Sequence, residues 1–236
     1  MLRDALLDAW ALVLPVDCAG CGAHDRSLCD RCVAALDAPP STHRLADGTR
    51  VVSALDYTGV VREAILSLKE HGRTDVARRL AAPLGRAVAE ALRRAEIDRR
   101  SGGGRAVEAL VVPSSRAAYR RRGYDPVALL MRRAGVAPSR VLRVGRSTAS
   151  QKTLGAAERA ANLRGAFAAR GPLGGRRFLL VDDILTTGAT LDEAARALAE
   201  AGGEVVGAAT LAFTPRLFAL RDNASGGDYG GAKGAR

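Results

Sequence analysis

The stretch FLLVDDILTTGATLDEAARAL, from Phe178 to Leu198, carries the clearest indication of the fold. Its apolar beginning, Phe178 to Val181, predicts a buried strand, and the residues from Leu191 onward have the periodicity of a helix. Asp182 and Asp183 therefore lie at the carboxyl end of the strand, where open α/β folds bind ligands. We expect both carboxylates to face a ligand and not the protein core.

The segment between this strand and this helix predicts a phosphate-binding loop. It consists of Thr186, Thr187, Gly188, Ala189 and Thr190. Backbone N–H groups at a helix N-terminus and threonine hydroxyls can bind a phosphate, and glycine lets the backbone approach it closely. The neighbouring carboxylates can accept hydrogen bonds from vicinal sugar hydroxyls. Together these features predict a site for a 5-phosphoribosyl group; the alternative is a surface turn with a threonine cap.

The rest of the chain alternates predicted strands with predicted helices. Strands are predicted at 50–57, 106–115, 140–145, 176–183 and 204–213. Helices are predicted at 60–72, 75–97, 125–135, 156–165 and 190–202, with Asp125 as an N-cap and Pro126 as a first residue. This alternation predicts an α/β fold, in which helices cover a parallel sheet.

Three segments are predicted along the 236 residues. Residues 1–46 hold all four cysteines and include Pro39 and Pro40, which favour a boundary. Residues 47–221 form the α/β domain, and the glycine-rich residues 222–236 are expected to be disordered.

The N-terminal stretch MLRDALLDAWALVLPVDC has some features of a signal peptide, because Arg3 precedes an apolar run and Cys18 follows it. Asp4 and Asp8 interrupt its apolar run, Pro15 shortens it, and Asp17 precedes the cysteine. We therefore expect a cytoplasmic amphipathic helix. No stretch of the sequence reaches the roughly 18 apolar residues that a membrane span requires.

The chain is strongly basic, with a formal net charge of +11 and an isoelectric point of about 10.5. Such a charge favours phosphate-bearing partners, including nucleic acid. Arginine-biased coding is the alternative, because nearly all of the cations are arginine. Aromatic residues make up only 4% of the chain, so base stacking has few candidate side chains.

The four cysteines form two C-x2-C pairs separated by seven residues: Cys18, Cys21, Cys29 and Cys32. This spacing favours tetrahedral binding of Zn²⁺, which stabilises segments too short for a core of their own. Two disulfides or unrelated buried thiols are the alternatives. Four thiolates leave no open position on the metal, so we expect a structural zinc ion. His24 and His43 are interpreted as loop residues.

The sequence FLLVDDILTTGAT resembles the signature of the type I phosphoribosyltransferases, which bind phosphoribosyl pyrophosphate (PRPP). Further stretches resemble the ComF family, which joins a four-cysteine zinc module to such a domain: CAGC with LCDRC, YTGVVREAILSLKEHGR, VVPSSRAAYRRRGYD, SQKTL and ERAANLRGAF. This resemblance extends from about Leu6 to Phe213.

The resemblance implies roles for particular residues. Asp182 and Asp183 would bind the ribose hydroxyls, and the loop from Thr186 to Thr190 would bind the 5′-phosphate. A pyrophosphate loop would include Ser114, Ser115, Arg120, Arg121 and Arg122, although a solvated basic loop is the alternative. The chain departs from the family pattern at two places, Tyr124–Asp125–Pro126 and Glu70. No catalytic acid or base is identified.

The resemblance also implies a function. A ComF-like protein would bind PRPP or another 5-phosphoribosyl ligand and take part in DNA uptake and competence, handling single-stranded DNA together with competence and recombination proteins. The first alternative is an active, Mg²⁺-dependent phosphoribosyltransferase that releases pyrophosphate from PRPP. Purine salvage and amidotransfer-linked synthesis are less favoured, because no purine-reading element or amidotransferase domain is visible.

Overall fold

The computed structural model describes residues 16–24, 26–102, 105–145 and 164–215. The predicted N-terminal amphipathic helix, nearly all of the predicted helix at 156–165, and the predicted disordered tail lie outside these residues. The described helices are α1 (Asp30–Ala34), α2 (Gly59–Glu70), α3 (Ala77–Gly102), α4 (Arg116–Arg122), α5 (Pro126–Arg133) and α6 (Ala189–Glu200). The described strands are β1 (Ser41–Arg44), β2 (Arg50–Asp56), β3 (Val107–Val111), β4 (Leu142–Val144), β5 (Phe167–Ala169), β6 (Arg177–Leu185) and β7 (Glu204–Phe213).

The main sheet has the strand order β1-β2-β7-β6-β3. All neighbouring strands are parallel except β1, which forms an antiparallel edge with β2. This arrangement confirms the predicted α/β fold with a mostly parallel sheet. The strand predicted at 140–145 also forms, as β4, but it pairs with β5 in a separate antiparallel sheet.

Helices cover both faces of the sheet, which explains why β6 is apolar on both sides. Leu179 and Val181 pack into one core, together with residues of α2, α3 and α5. Phe178 and Leu180 point the other way and pack with α6 and the β4–β5 pair. Because successive side chains of a strand point to opposite faces, a doubly covered strand needs an unbroken apolar run.

The β1–β2 hairpin corrects the assignment of His43 to a loop. His43 lies in β1, opposite Val51, and its ring centroid is 4.0 Å from that of Phe213. Burial lowers the pKa of His43, and the charge of Asp56 opposes this only in part. The hairpin begins before the boundary predicted at residue 46, yet it completes the edge of the main sheet.

The cysteine segment packs directly on α2. Buried Cys18 and Cys32 belong to the same core as Ala64 and Leu68 of that helix. A Cβ atom on Gly20 would lie 2.8 Å from Cγ1 of Val60, so only glycine fits here without a shift. The segment is therefore built onto the face of the sheet that carries α2.

Candidate functional site

The acid pair, Asp182 and Asp183, lies in the part of β6 that continues past its neighbour β3. Val111 ends β3 opposite Val181, whereas β6 runs on to Leu185 beside β7. Both aspartates are partly buried. The strand is longer than predicted, and the two carboxylates stand at the sheet edge where the sequence indicated a ligand site.

The two carboxylates occupy different electrostatic environments. Burial, followed by the neighbouring charge of Asp183, raises the pKa of Asp182 to about 7. The backbone N–H of Asp183 donates to Oδ1 of Asp182 at 2.8 Å, which opposes that shift. Oδ2 of Asp183 instead forms an ion pair with Nζ of Lys69 at 2.7 Å.

Lys69 was not predicted as a site residue. It lies in the last turn of α2 and reaches the acid pair from a segment more than a hundred residues away in sequence. Its side chain is 22% exposed and that of Asp183 is 23% exposed, so the contact is shielded from most of the solvent. The sequence feature that could have drawn attention to Lys69 was the rarity of lysine, because only three of the 36 basic residues are lysines.

The threonine loop, Thr186 to Thr190, leads from β6 into α6. Gly188 is the N-cap of α6 and has φ 82°, a left-handed conformation that favours glycine. A Cβ atom there would lie 2.7 Å from Cδ2 of Leu45 in the β1–β2 hairpin. The N–H of Ala189 donates to Oγ1 of Thr187 over a long 3.4 Å, a contact that a phosphate oxygen could replace. The loop therefore directly follows the strand that carries the acid pair.

The two serines of the predicted pyrophosphate loop follow β3 and bind protein groups. Ser114 Oγ donates to Oδ2 of Asp125 at 3.0 Å. Ser115 is the N-cap of α4, where its Oγ accepts from the N–H of Ala118 at 3.2 Å. Asp125 is the N-cap of α5, as predicted, and accepts from the N–H of Ala128 at 2.9 Å.

The three consecutive arginines of that loop diverge. Nη2 of Arg121 pairs with Oε2 of Glu70 at 2.6 Å. Nη1 of Arg122 donates to the carbonyl of Lys69 at 3.4 Å, and its Nε is buried without a hydrogen-bond partner in the described part of the chain. Arg120 lines a separate cavity beside α4. The structure does not bring the three guanidinium groups to one point.

The cysteine centre comprises the four Sγ atoms of Cys18, Cys21, Cys29 and Cys32, which all lie within 4.8 Å of one another. All four residues are free thiols, and the Sγ atoms of Cys21 and Cys29 are 3.7 Å apart. Zn–S bonds of ~2.3 Å in a tetrahedron place sulfur atoms about 3.8 Å apart. The centre therefore has the donor set and spacing to bind a metal ion.

Backbone N–H groups also make this centre suitable for thiolates. The N–H of Cys29 donates to Sγ of Cys18 at 3.3 Å. Burial alone would raise the pKa of Cys18, but backbone hydrogen bonds from Cys29, Gly20 and Cys21 lower it to about 6. Burial, then hydrogen bonds with the other thiols, raises the pKa of Cys32. A metal cation bound by the four sulfur atoms would stabilise the thiolate form of all four cysteines, including Cys32.

Comparison with known proteins finds a family model and relatives that match this chain. A family model described as the phosphoribosyl transferase domain matches residues 121–224. The DNA utilization protein YhgH of Salmonella typhimurium is 34% identical over 198 residues, which cover 80% of each chain. Its counterpart from Escherichia coli K12 is 31% identical over the same length. The chain belongs to the ComF family.

An adenine phosphoribosyltransferase of Clostridium botulinum is 46% identical over 55 residues, which cover 23% of the chain and 30% of that protein. Among the described residues of the ComF-family chain, none of the helices is both long enough and apolar enough to cross a membrane.

The departures from the ComF-family pattern have a common location. Glu70 binds Arg121, and the hydroxyl of Tyr124 donates to the carbonyl of Leu68. Asp125 takes part in the N-cap of α5 and also binds Ser114. The first two contacts join the end of α2 to α4 and the residues that follow it, and so hold Lys69 beside the acid pair.

Proposed function

We propose that this chain binds PRPP, or another ligand with a 5-phosphoribosyl group, at the acid pair and the threonine loop. The observation that carries this proposal is that two carboxylates at the carboxyl end of β6 are followed directly by the N-terminus of α6. Asp182 and Asp183 accept hydrogen bonds from the ribose hydroxyls. Thr186, Thr187, Gly188, Ala189 and Thr190 hold the 5′-phosphate.

Binding requires a rearrangement of charge at the acid pair. Lys69 Nζ pairs with Oδ2 of Asp183, so ribose hydroxyls that bind this oxygen compete with the lysine. Asp182 must lose the proton that its raised pKa retains below about pH 7. Both changes favour a ligand that arrives with a divalent cation, because the cation replaces the lysine charge.

Mg²⁺ is the cation that PRPP carries in this proposal. Asp182 and Asp183 offer the oxygen ligands that Mg²⁺ prefers. The bound ion would neutralise part of the negative charge of the diphosphate. Ser114, Ser115 and Arg120 are proposed to face the pyrophosphate, with Arg121 and Arg122 available once they leave their contacts with Glu70 and Lys69.

The metal of the cysteine centre is proposed to be a structural zinc ion. Four thiolates at tetrahedral spacing are the usual zinc donor set, and they leave no position for a substrate. Reduced thiols of this kind suit a reducing compartment, which supports the cytoplasm as the location.

We propose that the chain, with its phosphoribosyl site, acts in DNA utilization. Its role would be in DNA uptake and competence, where it handles single-stranded DNA. The names of the relatives in two enteric bacteria and the net charge of +11 support this assignment. Competence and recombination proteins are the proposed partners.

The short match to an adenine phosphoribosyltransferase favours a second function, transfer of the phosphoribosyl group with release of pyrophosphate. An assay of PRPP-dependent pyrophosphate release with a panel of bases separates binding from turnover.

The binding site is tested by thermal unfolding of the full chain with PRPP and Mg²⁺, and with ribose 5-phosphate. At about 100 times its dissociation constant a ligand stabilises by about 2.7 kcal/mol, which raises Tm by roughly 5–10 °C in a chain of this size. Asp183→Asn should lose most of that rise. Asp37→Asn is the control, because Asp37 is 82% exposed and distant in sequence from the loop. Equal rises in wild type and Asp183→Asn would refute the site.

A further inference from the structure

A cavity of about 460 Å³ lies between α4, α5 and the β4–β5 pair. Five arginines from separate segments line it: Arg116, Arg120, Arg140, Arg143 and Arg170. We call it the arginine cavity. Four of these arginines were not among the predicted site residues, because they converge only through the fold.

The arginines of this cavity are distinguished by their convergence at one place. Elsewhere some arginines are paired with carboxylates, as in Arg94 with Glu90 at 2.6 Å and Arg176 with Glu108 at 2.6 Å. Others, such as Arg78 and Arg79, have no ion pair among the described residues. Within residues 16–24, 26–102, 105–145 and 164–215, no ion pair involves any of the five cavity arginines. Arginine-biased coding alone does not explain why five arginines without an ion pair, from separate segments, line the same cavity.

One carboxylate lines the cavity, that of Asp125, and it already has partners. Its Oδ1 accepts from the N–H of Ala128 and its Oδ2 from the hydroxyl of Ser114. Nε of Arg170 donates to the carbonyl of Arg140, which fixes one guanidinium group without neutralising it. The positive charge of the cavity is therefore left for an anion from outside the described chain.

The floor of the cavity is apolar. Val111, Leu142 and Ala128 line it and are buried, while Tyr119 stands at the rim with 51% of its surface exposed. An inorganic phosphate ion would gain no favourable contact from an apolar floor, and pockets of about 300–1,000 Å³ hold whole small ligands. Aliphatic and aromatic surface suits a nucleobase, and guanidinium groups suit the phosphates on either side of it.

The arginine cavity adjoins the proposed ribose and 5′-phosphate positions, and it shares Ser114 and Arg120 with the proposed pyrophosphate loop. Val111 lines the cavity and pairs with Val181, the residue before the acid pair. Neither acid nor any residue of the threonine loop lines the cavity. A polymer bound in the cavity would therefore pass close to the sheet edge without occupying the ribose position.

We infer that the arginine cavity binds single-stranded nucleic acid, with a base over its apolar floor and the flanking phosphodiesters on its arginines. The choice of a polynucleotide rests on the proposed role in DNA utilization. The site itself rests on the five unpaired arginines and does not depend on PRPP binding.

Fluorescence anisotropy of a labelled oligo(dT) with the full chain tests this site. Arg116→Gln/Arg143→Gln should weaken binding about tenfold and should reduce the salt slope by about 1.4, since single strands lose about 0.7 per phosphate contact. The matched control is Arg78→Gln/Arg79→Gln on α3, which also removes two exposed arginines without an ion pair among the described residues. Equal losses in the two double variants, or none in the cavity variant, would overturn the inference.

A second set of measurements separates this site from the phosphoribosyl site. Tyr119→Leu should weaken oligonucleotide binding severalfold and leave the rise in Tm with PRPP unchanged. If the cavity variants instead lose the response to PRPP and keep oligonucleotide binding, the arginines bind pyrophosphate and the inference is wrong. A wild-type chain that responds to PRPP but binds no oligonucleotide also refutes it, while the phosphoribosyl site stands.

Discussion

The cysteine centre and the proposed phosphoribosyl site are built in opposite ways. All ligands of the centre lie between Cys18 and Cys32, so two short turns determine their geometry. The phosphoribosyl site draws on α2, the segment after β3, and the β6–α6 connection, which meet only through the sheet. Local spacing specifies the first site, and topology assembles the second.

The two sites also contribute to stability with opposite signs. A metal ion at the cysteine centre would stabilise the fold, because its binding free energy is available only when the four thiolates converge. The acid pair places two carboxylates side by side, and the resulting repulsion and burial raise the pKa of Asp182 to about 7. Metal removal should therefore destabilise the protein, whereas neutralising an acid should stabilise it.

Loss of the metal is expected to have the largest effect. Cys32 is fully buried against Gly20 and shares the core with α2, so Cys32→Ser should remove several kcal/mol of stability and lower Tm by well over 10 °C. Chelation of the wild-type metal should act likewise, and added Zn²⁺ should restore Tm while Mg²⁺ should not. Elemental analysis should find one zinc ion per chain. A chelated protein that keeps its Tm would show that this centre contributes no folding energy.

This contrast explains what the sequence could predict. The cysteine spacing, the acid pair and the threonine loop each lie within a short segment, and their positions followed from local pattern. Lys69 and Arg143 could not be assigned, because their contacts depend on how α2 and β4 pack on the sheet. The same limit applies to α4, which has no buried residue and so no apolar periodicity to reveal it. Strands β1 and β5 were missed because they are only four and three residues long.

The raised pKa of Asp182 predicts a pH-dependent stability of intermediate size. The folded chain retains a proton that the unfolded chain loses near the ordinary pKa of 3.8, so stability should fall as pH rises from about 4 to about 7. Asp182→Asn should remove this fall and be more stable than wild type by about 2 kcal/mol above about pH 7. Urea unfolding at several pH values measures the difference, with Asp37→Asn as the control. A difference that does not grow with pH would contradict the assignment.

The contact between Lys69 and Asp183 gives the smallest effect and the sharpest comparison. Lys69→Met leaves the carboxylates without their cation, so Mn²⁺ alone should bind several times more tightly, by about 1 kcal/mol, as measured by electron paramagnetic resonance. Lys69→Arg keeps a positive charge and should bind Mn²⁺ as wild type does. Glu70→Gln breaks the neighbouring pair with Arg121 and leaves Lys69 in place, so it controls for a general loosening of α2. If Lys69→Met binds no more tightly than Glu70→Gln, the lysine does not compete with a metal ion at the acid pair.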